Sequence, residues 1–125
     1  MTRNYLVTGG AGFIGSNYVH RLIQRNEHVT IFDNLSRAGA PRNVAWLKEK
    51  FGDDAFRLKV GDVRSADEVK EAAKDADIIV HLAGQVAVTT SVTDPRNDFE
   101  ANALGTFNAL EAARTSGRDP IFIYA

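Results

Sequence analysis

The chain has 125 residues, a formal net charge of −1 and no cysteine. That length suits one domain, the charge gives nucleic acid no electrostatic footing, and the missing thiols exclude a disulfide framework, thiol catalysis and a thiolate zinc site while fitting a reducing cytoplasm. With 44% apolar and 25% charged residues the composition is that of an ordinary globular domain; no run approaches a membrane span and the start lacks signal-peptide order, so no membrane partner is expected.

Arg3 to Thr8 reads as a short apolar strand that breaks into glycines at 9, 12 and 15. A strand that hands over to a helix within a few residues, and lets its backbone approach a pyrophosphate, needs positions without side chains. In this spacing, G-x-x-G-x-x-G, Gly9 allows the tight turn, Gly12 the close approach, and Gly15 a helix lying close against the sheet, with the positive end of its dipole toward the phosphates. Phe13 to Arg25 carries Ile14, Tyr18, Val19, Leu22 and Ile23 at helical spacing. His28 to Asp33 is the second strand. It ends in an acid at the distance where a dinucleotide fold places the carboxylate that accepts from the adenine ribose hydroxyls.

Gly39 and Pro41 mark a loop, and Val44, Leu47 and Phe51 form the stripe of a short second helix. Trp46 falls off that stripe and is read as packing rather than as a partner surface. Phe56 to Gly61 is the third strand, followed by a second strand-end acid, Asp62. Its carboxylate can accept from an exocyclic amine while the Val63 amide faces a ring nitrogen; the plainer alternative is an acid that opens a turn. Ser65 and Glu68 form a capping-box pattern before a structural helix.

Asp77 to Leu82 is the fourth strand, nearly all apolar, as a strand covered on both faces should be. Ala83 and Gly84 at its tip leave room for a cofactor to cross the sheet edge. His81 lies within the strand and is expected to be packed or hydrogen-bonded rather than catalytic. Gln85 to Thr93, with Thr89, Thr90 and Ser91 in a row, reads as a substrate-side loop. Asp94 and Pro95 open a long helix as N-cap and first residue, with Phe99, Ala103, Phe107, Leu110 and Ala113 as its apolar stripe. Ile121 to Tyr124 is the fifth strand. Strand and helix alternate throughout, which with right-handed crossovers gives an α/β, Rossmann-type, doubly wound parallel sheet of order 3-2-1-4-5, truncated after the fifth strand.

Five stretches, Thr8-Gly-Gly-Ala-Gly-Phe-Ile-Gly-Ser16, Asp33-Asn-Leu35, Gly61-Asp-Val63, His81-Leu-Ala-Gly84 and the run from Ser91 to Asn102 leading into Gly105-Thr106, resemble the extended short-chain dehydrogenase/reductase family of sugar-nucleotide epimerases and dehydratases. Within it, Asp33-Asn-Leu-Ser-Arg-Ala-Gly39 and Ala83-Gly-Gln-Val-Ala-Val-Thr-Thr-Ser91 look most like the CDP-paratose 2-epimerases, with the UDP-glucose 4-epimerases and 4,6-dehydratases as alternatives. The resemblance implies a tightly held NAD that removes hydride from a carbon of a nucleotide sugar and returns it. It places Phe13 and Ile14 along the pyrophosphate, Asp33, Asn34, Leu35, Ser36 and Arg37 around the adenosine ribose, and Asp62 and Val63 at the adenine. Leu82, Ala83, Gly84 and Gln85 would border the nicotinamide side, and Asn102 would touch the loop or the cofactor.

The family's Ser/Thr and Tyr-x-x-x-Lys lie beyond its fifth strand, so residues 1–125 are expected to be the NAD-binding domain of a longer enzyme, without catalytic residues or substrate domain. Tyr5, Tyr18 and Tyr124 are not followed by lysine four residues on. A non-catalytic NAD-binding module is the competing reading. The family often forms dimers, for which the long helix from Pro95 is the candidate element.

Overall fold

The computed structural model describes residues 2–85 and 87–125. Strands β1 (Asn4–Thr8), β2 (His28–Asp33), β3 (Arg57–Val60), β4 (Ile78–His81) and β5 (Ile121–Tyr124) lie parallel in the order 3-2-1-4-5, as the alternation of elements predicts. Helices α1 (Phe13–Gln24), α2 (Ala40–Phe51), α3 (Ala66–Ala73), α4 (Val88–Thr93), α5 (Pro95–Phe99) and α6 (Gly105–Thr115) connect them, with a π-helical turn, Glu100–Leu104, joining α5 to α6. Among the described residues no helix is long and apolar enough to cross a membrane.

Successive residues of a strand point to opposite faces, and the core divides accordingly. Val7, Val29, Ile31, Ile78 and Val80 meet Val19, Leu22, Val44 and Leu47 of α1 and α2, whereas Leu6, Phe32 and Ile79 meet Val69, Ala73, Ala109 and Ala112 of α3 and α6. Burying each such aliphatic side chain contributes about 1.5–3 kcal/mol, which makes the central strands the rigid base of the molecule. Thr8 is in register with both Phe32 and His81, so the chain leaves β1, β2 and β4 along one edge, at the point where the strand order reverses.

The segment expected to be a loop, Gln85 to Thr93, contains α4 instead. Its hydroxyls turn back on the helix itself: Ser91 Oγ donates to Val88 O at 2.6 Å and Thr93 Oγ1 to Thr89 O at 3.1 Å. The long helix begins as expected, with Asp94 accepting from the Asn97 amide. Its packing face differs. Phe99, Phe107 and Leu110 are exposed, and Gly105, Asn108, Ala109 and Ala112 are buried. Small residues let α6 settle close to the sheet, a Cβ on Gly105 falling 2.7 Å from Val63 Cγ2. Ser65 caps α3, but Glu68 does not complete the box: its Oε1 accepts from the Asp62 amide at 3.2 Å, steadying the end of β3. Trp46 packs as read, stacked on His20 with ring centroids 5.1 Å apart.

Candidate functional site

Gly9 leaves β1 at φ +69°, and a Cβ there would lie 2.8 Å from the Ala83 amide nitrogen, so both conformation and space require glycine. Its carbonyl accepts from Gly12 N–H at 3.0 Å and closes the turn. A Cβ on Gly15 would run into Gly9 O and the Gly10 Cα. The close approach expected between helix and sheet is therefore an approach of α1 to the turn itself. Gly12 caps α1 without a side chain, which leaves the first-turn amides of Phe13, Ile14 and Gly15 without intrahelical acceptors. Phe13 and Ile14, 82% and 71% exposed, flank these amides at the rim of a cavity of about 860 Å³. Donors converging on a helix N-terminus suit an anion such as a diphosphate.

The two strand-end acids reach the same cavity. Asp33 Oδ2 accepts from Ala11 N–H at 3.0 Å and Oδ1 from Leu35 N–H at 2.8 Å. It thus braces the glycine turn and retains a lone pair on each oxygen for hydroxyl donors. Asp62 is more heavily engaged: its carboxylate accepts from Arg64 N, Nε and Nη2, at 2.7 Å for the last. The Arg64 side-chain hydrogen bonds hold the Asp62 carboxyl below the usual carboxylate range. The turn expected as the plain alternative is present too, Ser65 N–H bonding to Asp62 O.

At the tip of β4 a buried polar chain fixes the loop. Thr106 Oγ1 donates to Asn102 O at 2.6 Å and so accepts from His81 Nε2–H at 3.2 Å, which makes Nδ1 the acceptor for Thr8 Oγ1–H at 2.7 Å. Thr8 Oγ1 in turn accepts from the amides of Leu82 and Ala83. Every donor and acceptor is matched only when His81 is neutral, and burial lowers its pKa from 6.5. The unfolded chain takes up a proton near 6.5 and the folded chain only at lower pH, so stability is full above that value and falls as pH descends below it. Thermal unfolding from pH 7.5 to 5 is expected to show this loss in the native sequence and a flatter profile in His81→Gln; equal slopes would reject the assignment.

Of the residues singled out from sequence, Gly9, Gly12, Phe13, Ile14, Gly15, Asp33, Asn34, Ser36, Arg37, Asp62, Val63, Leu82, Ala83, Gly84 and Gln85 line this cavity. Leu35 does not: at φ +58° it turns its side chain into the α1–α2 core and contributes its amide to Asp33. Asn102 stands behind the lining, its Oδ1 accepting from Gln85 N at 2.7 Å. That oxygen would be 2.7 Å from a Cβ on Gly84, so Gly84 makes room for Asn102 rather than only for a ligand. Sequence reasoning assigned no role to Phe32, Gly61, Arg64, Asn97, Ala101 and Ala125; Gly61, Asn97 and Ala101 lay within stretches that carry the family resemblance, and Arg64, a cation two residues after an acid, carried a signal of its own. A second concavity of about 710 Å³ includes Asn4, His28 and Asp75, remote from the glycine turn and both acids. Among the described residues no three His, Cys, Asp or Glu gather to hold a metal.

The sequence profile described as GDP-mannose 4,6 dehydratase matches residues 6–125. CDP-paratose 2-epimerase of Salmonella typhi is 42% identical over 122 residues, covering 96% of this chain and 35% of that protein. dTDP-glucose 4,6-dehydratase of Mycobacterium tuberculosis is 38% identical over 90% of this chain and 33% of its own length. UDP-glucose 4-epimerase of Thermus thermophilus, solved in complex with NAD, superposes with a TM-score of 0.78 at 39% identity, over 91% of this chain and 34% of that one. The chain thus spans about a third of the length of these relatives. A family match over residues 6–125, with a TM-score of 0.78 to an NAD-bound relative at 39% identity, means that the chain belongs to the GDP-mannose 4,6 dehydratase family of NAD-dependent extended short-chain dehydrogenases/reductases.

Proposed function

We propose that residues 1–125 form the NAD-binding domain of a sugar-nucleotide epimerase resembling CDP-paratose 2-epimerase. The observation that carries this is the convergence of the glycine turn, Asp33 and Asp62 on one cavity at the switch point of the sheet. The cavity's chemistry fits a dinucleotide: helix amides for the diphosphate, the Asp33 carboxylate for ribose hydroxyls, and small residues at the β4 tip. When bound, the cofactor supplies hydride removal from a sugar carbon and its return to the other face of the keto sugar. The chain's own part is to hold and orient. Ala11 and Leu35 amides fix Asp33 toward the ribose, and the Thr8–His81–Thr106 chain fixes the strand tip.

The 42% identity to the Salmonella typhi enzyme and the segments from Asp33 and from Ala83 support the 2-epimerase reading. A 4,6-dehydratase is the second reading, supported by the 38% identity to the Mycobacterium tuberculosis enzyme. Incubating the full-length protein with NAD and CDP-paratose separates them: 2-epimer is expected, and turnover of dTDP-glucose alone would decide for the dehydratase. Binding of NAD without turnover of either would favour a non-catalytic module. The exposed Phe107 and Leu110 of α6 offer the face for a homodimer.

NAD is expected to bind more tightly than NADP. Asp33 is committed to the turn and cannot swing away from a 2′-phosphate without releasing Ala11. The like-charge repulsion is about 1–4 kcal/mol, roughly five- to nearly a thousandfold in affinity. Arg37 lines the cavity nearby and opposes this by offering the phosphate a cation. Calorimetric titration giving equal affinities would show that Arg37, not Asp33, governs the choice.

A further inference from the structure

Two asparagines fasten the helix after Pro95 to the two ends of the cavity. At the base end Arg64 lies along Asp62, with Nε 3.1 and 3.0 Å from the two carboxylate oxygens and Nη2 2.7 Å from Oδ2, while Nη1 donates to Asn97 Oδ1 at 3.0 Å. At the β4 end Asn102 accepts from Gln85 N at 2.7 Å and donates to Gln85 O at 3.1 Å. In a regular α-helix residues five apart stand about 140° apart around the axis. The π turn Glu100–Leu104, in which Gly105 N–H reaches back to Glu100 O, contains Asn102; Asn97 lines the cavity, and Asn102 holds Gln85 from just behind the lining. Single π turns inside α-helices are frequent at functional sites.

A carboxylate offers about four acceptor positions. Arg64 makes four contacts with that of Asp62, counting its own amide at 2.9 Å to Oδ1. A purine amine that reaches Asp62 must displace part of the Arg64 fork, and the displaced guanidinium remains attached to Asn97. We propose that Arg64 and Asn97 form a clasp that couples occupancy of the base end of the cavity to the ordering of segment 87–99, and through Asn102 to the strand-4 end. Both act as positioning residues. The clasp rests on the assignment of the cavity to a dinucleotide.

The test uses the full-length protein and ADP, which fills only the base, ribose and diphosphate portion. In the native sequence ADP should slow amide exchange of residues 87–99 by about fivefold or more, the lower end of ordinary coupling between sites. Asn97→Ala, which removes the single hydrogen bond from Arg64 at the cavity lining, should lower ADP affinity by about tenfold or less, yet lose the protection. Asn97→Asp keeps an acceptor for Nη1 and should restore it. Arg64→Lys, which keeps the charge opposite Asp62 without the fork, should behave like Asn97→Ala and serves if that variant does not fold. Protection that persists in both Asn97→Ala and Arg64→Lys, or that is absent in the native protein with ADP bound, overturns the clasp. Loss of ADP affinity in Asn97→Ala by more than tenfold without rescue by Asn97→Asp overturns it too, because Asn97 would then contact the ligand directly. Failure of the native protein to bind either ADP or NAD would instead remove the dinucleotide assignment itself.

Discussion

Gly12→Val is expected to abolish NAD binding while leaving the circular dichroism of the protein unchanged. The position has φ −73° and ψ 178°, open to any residue, and a Cβ there meets only Gly9 O, at 3.3 Å. The added methyl groups therefore occupy the approach to the first-turn amides of α1 rather than the core. Hydrogen bonds from such amides to a charged diphosphate contribute about 1.5–3 kcal/mol each, so losing two lowers affinity roughly 10²- to 10⁴-fold. Gly9→Val makes the contrast. At φ +69° and 2.8 Å from the Ala83 amide its side chain has no space, and the variant should lose secondary structure along with binding. Titration calorimetry beside far-ultraviolet spectra separates the two, and a Gly12→Val protein that still binds NAD would remove the phosphate turn from that role.

What the sequence made legible was local. The glycines, the acids ending β2 and β3 and the alternation of strand and helix are separated by short, regular spacings, and backbone sterics translates such spacings directly into turns and elements. The long-range engagement around those acids was not legible. Asp33 bonds to Ala11, 22 residues before it, and Arg64 to Asn97, 33 residues after it, partners that only the folded sheet brings together. The helix within the segment expected to be a substrate-side loop was not legible because hydroxyl-rich, β-branched residues weigh against a helix; α4 is only six residues long, and the Ser91 and Thr93 hydroxyls bond back to its own carbonyls.

The stripe of the long helix was misread for a different reason. Hydrophobic periodicity gives weight to large side chains, but α6 packs through Gly105, Ala109 and Ala112, and the π turn at Glu100–Leu104 breaks the spacing that joins Phe99 to Phe107. His81 could be read correctly because a position within a parallel strand has neighbours on both sides. Its partners, Thr8 and Thr106, could not.

A polypeptide of residues 1–125 is expected to epimerise no sugar nucleotide, even where it binds NAD. Proton transfer by a positioned group contributes roughly 10²- to 10⁴-fold, and holding the sugar against the nicotinamide contributes more. Neither Tyr5 nor Tyr18 has a lysine four residues on. Tyr18 is moved in the wrong direction for a base, burial raising its phenol above the ordinary value of 10.0. His81 is neutral, but both ring nitrogens are taken by Thr8 and Thr106 and the ring is 1% exposed, so a substrate hydroxyl cannot reach it. Ile121, Ile123 and Tyr124 of β5 are exposed, which should make the isolated segment associate as its concentration rises. Incubation with NAD and CDP-paratose or UDP-glucose at low protein concentration, followed by separation of epimers, measures the activity. Turnover above background would place a base within these residues, and with His81 closed off by its hydrogen bonds, Thr90 and Tyr124 would be the side chains to replace.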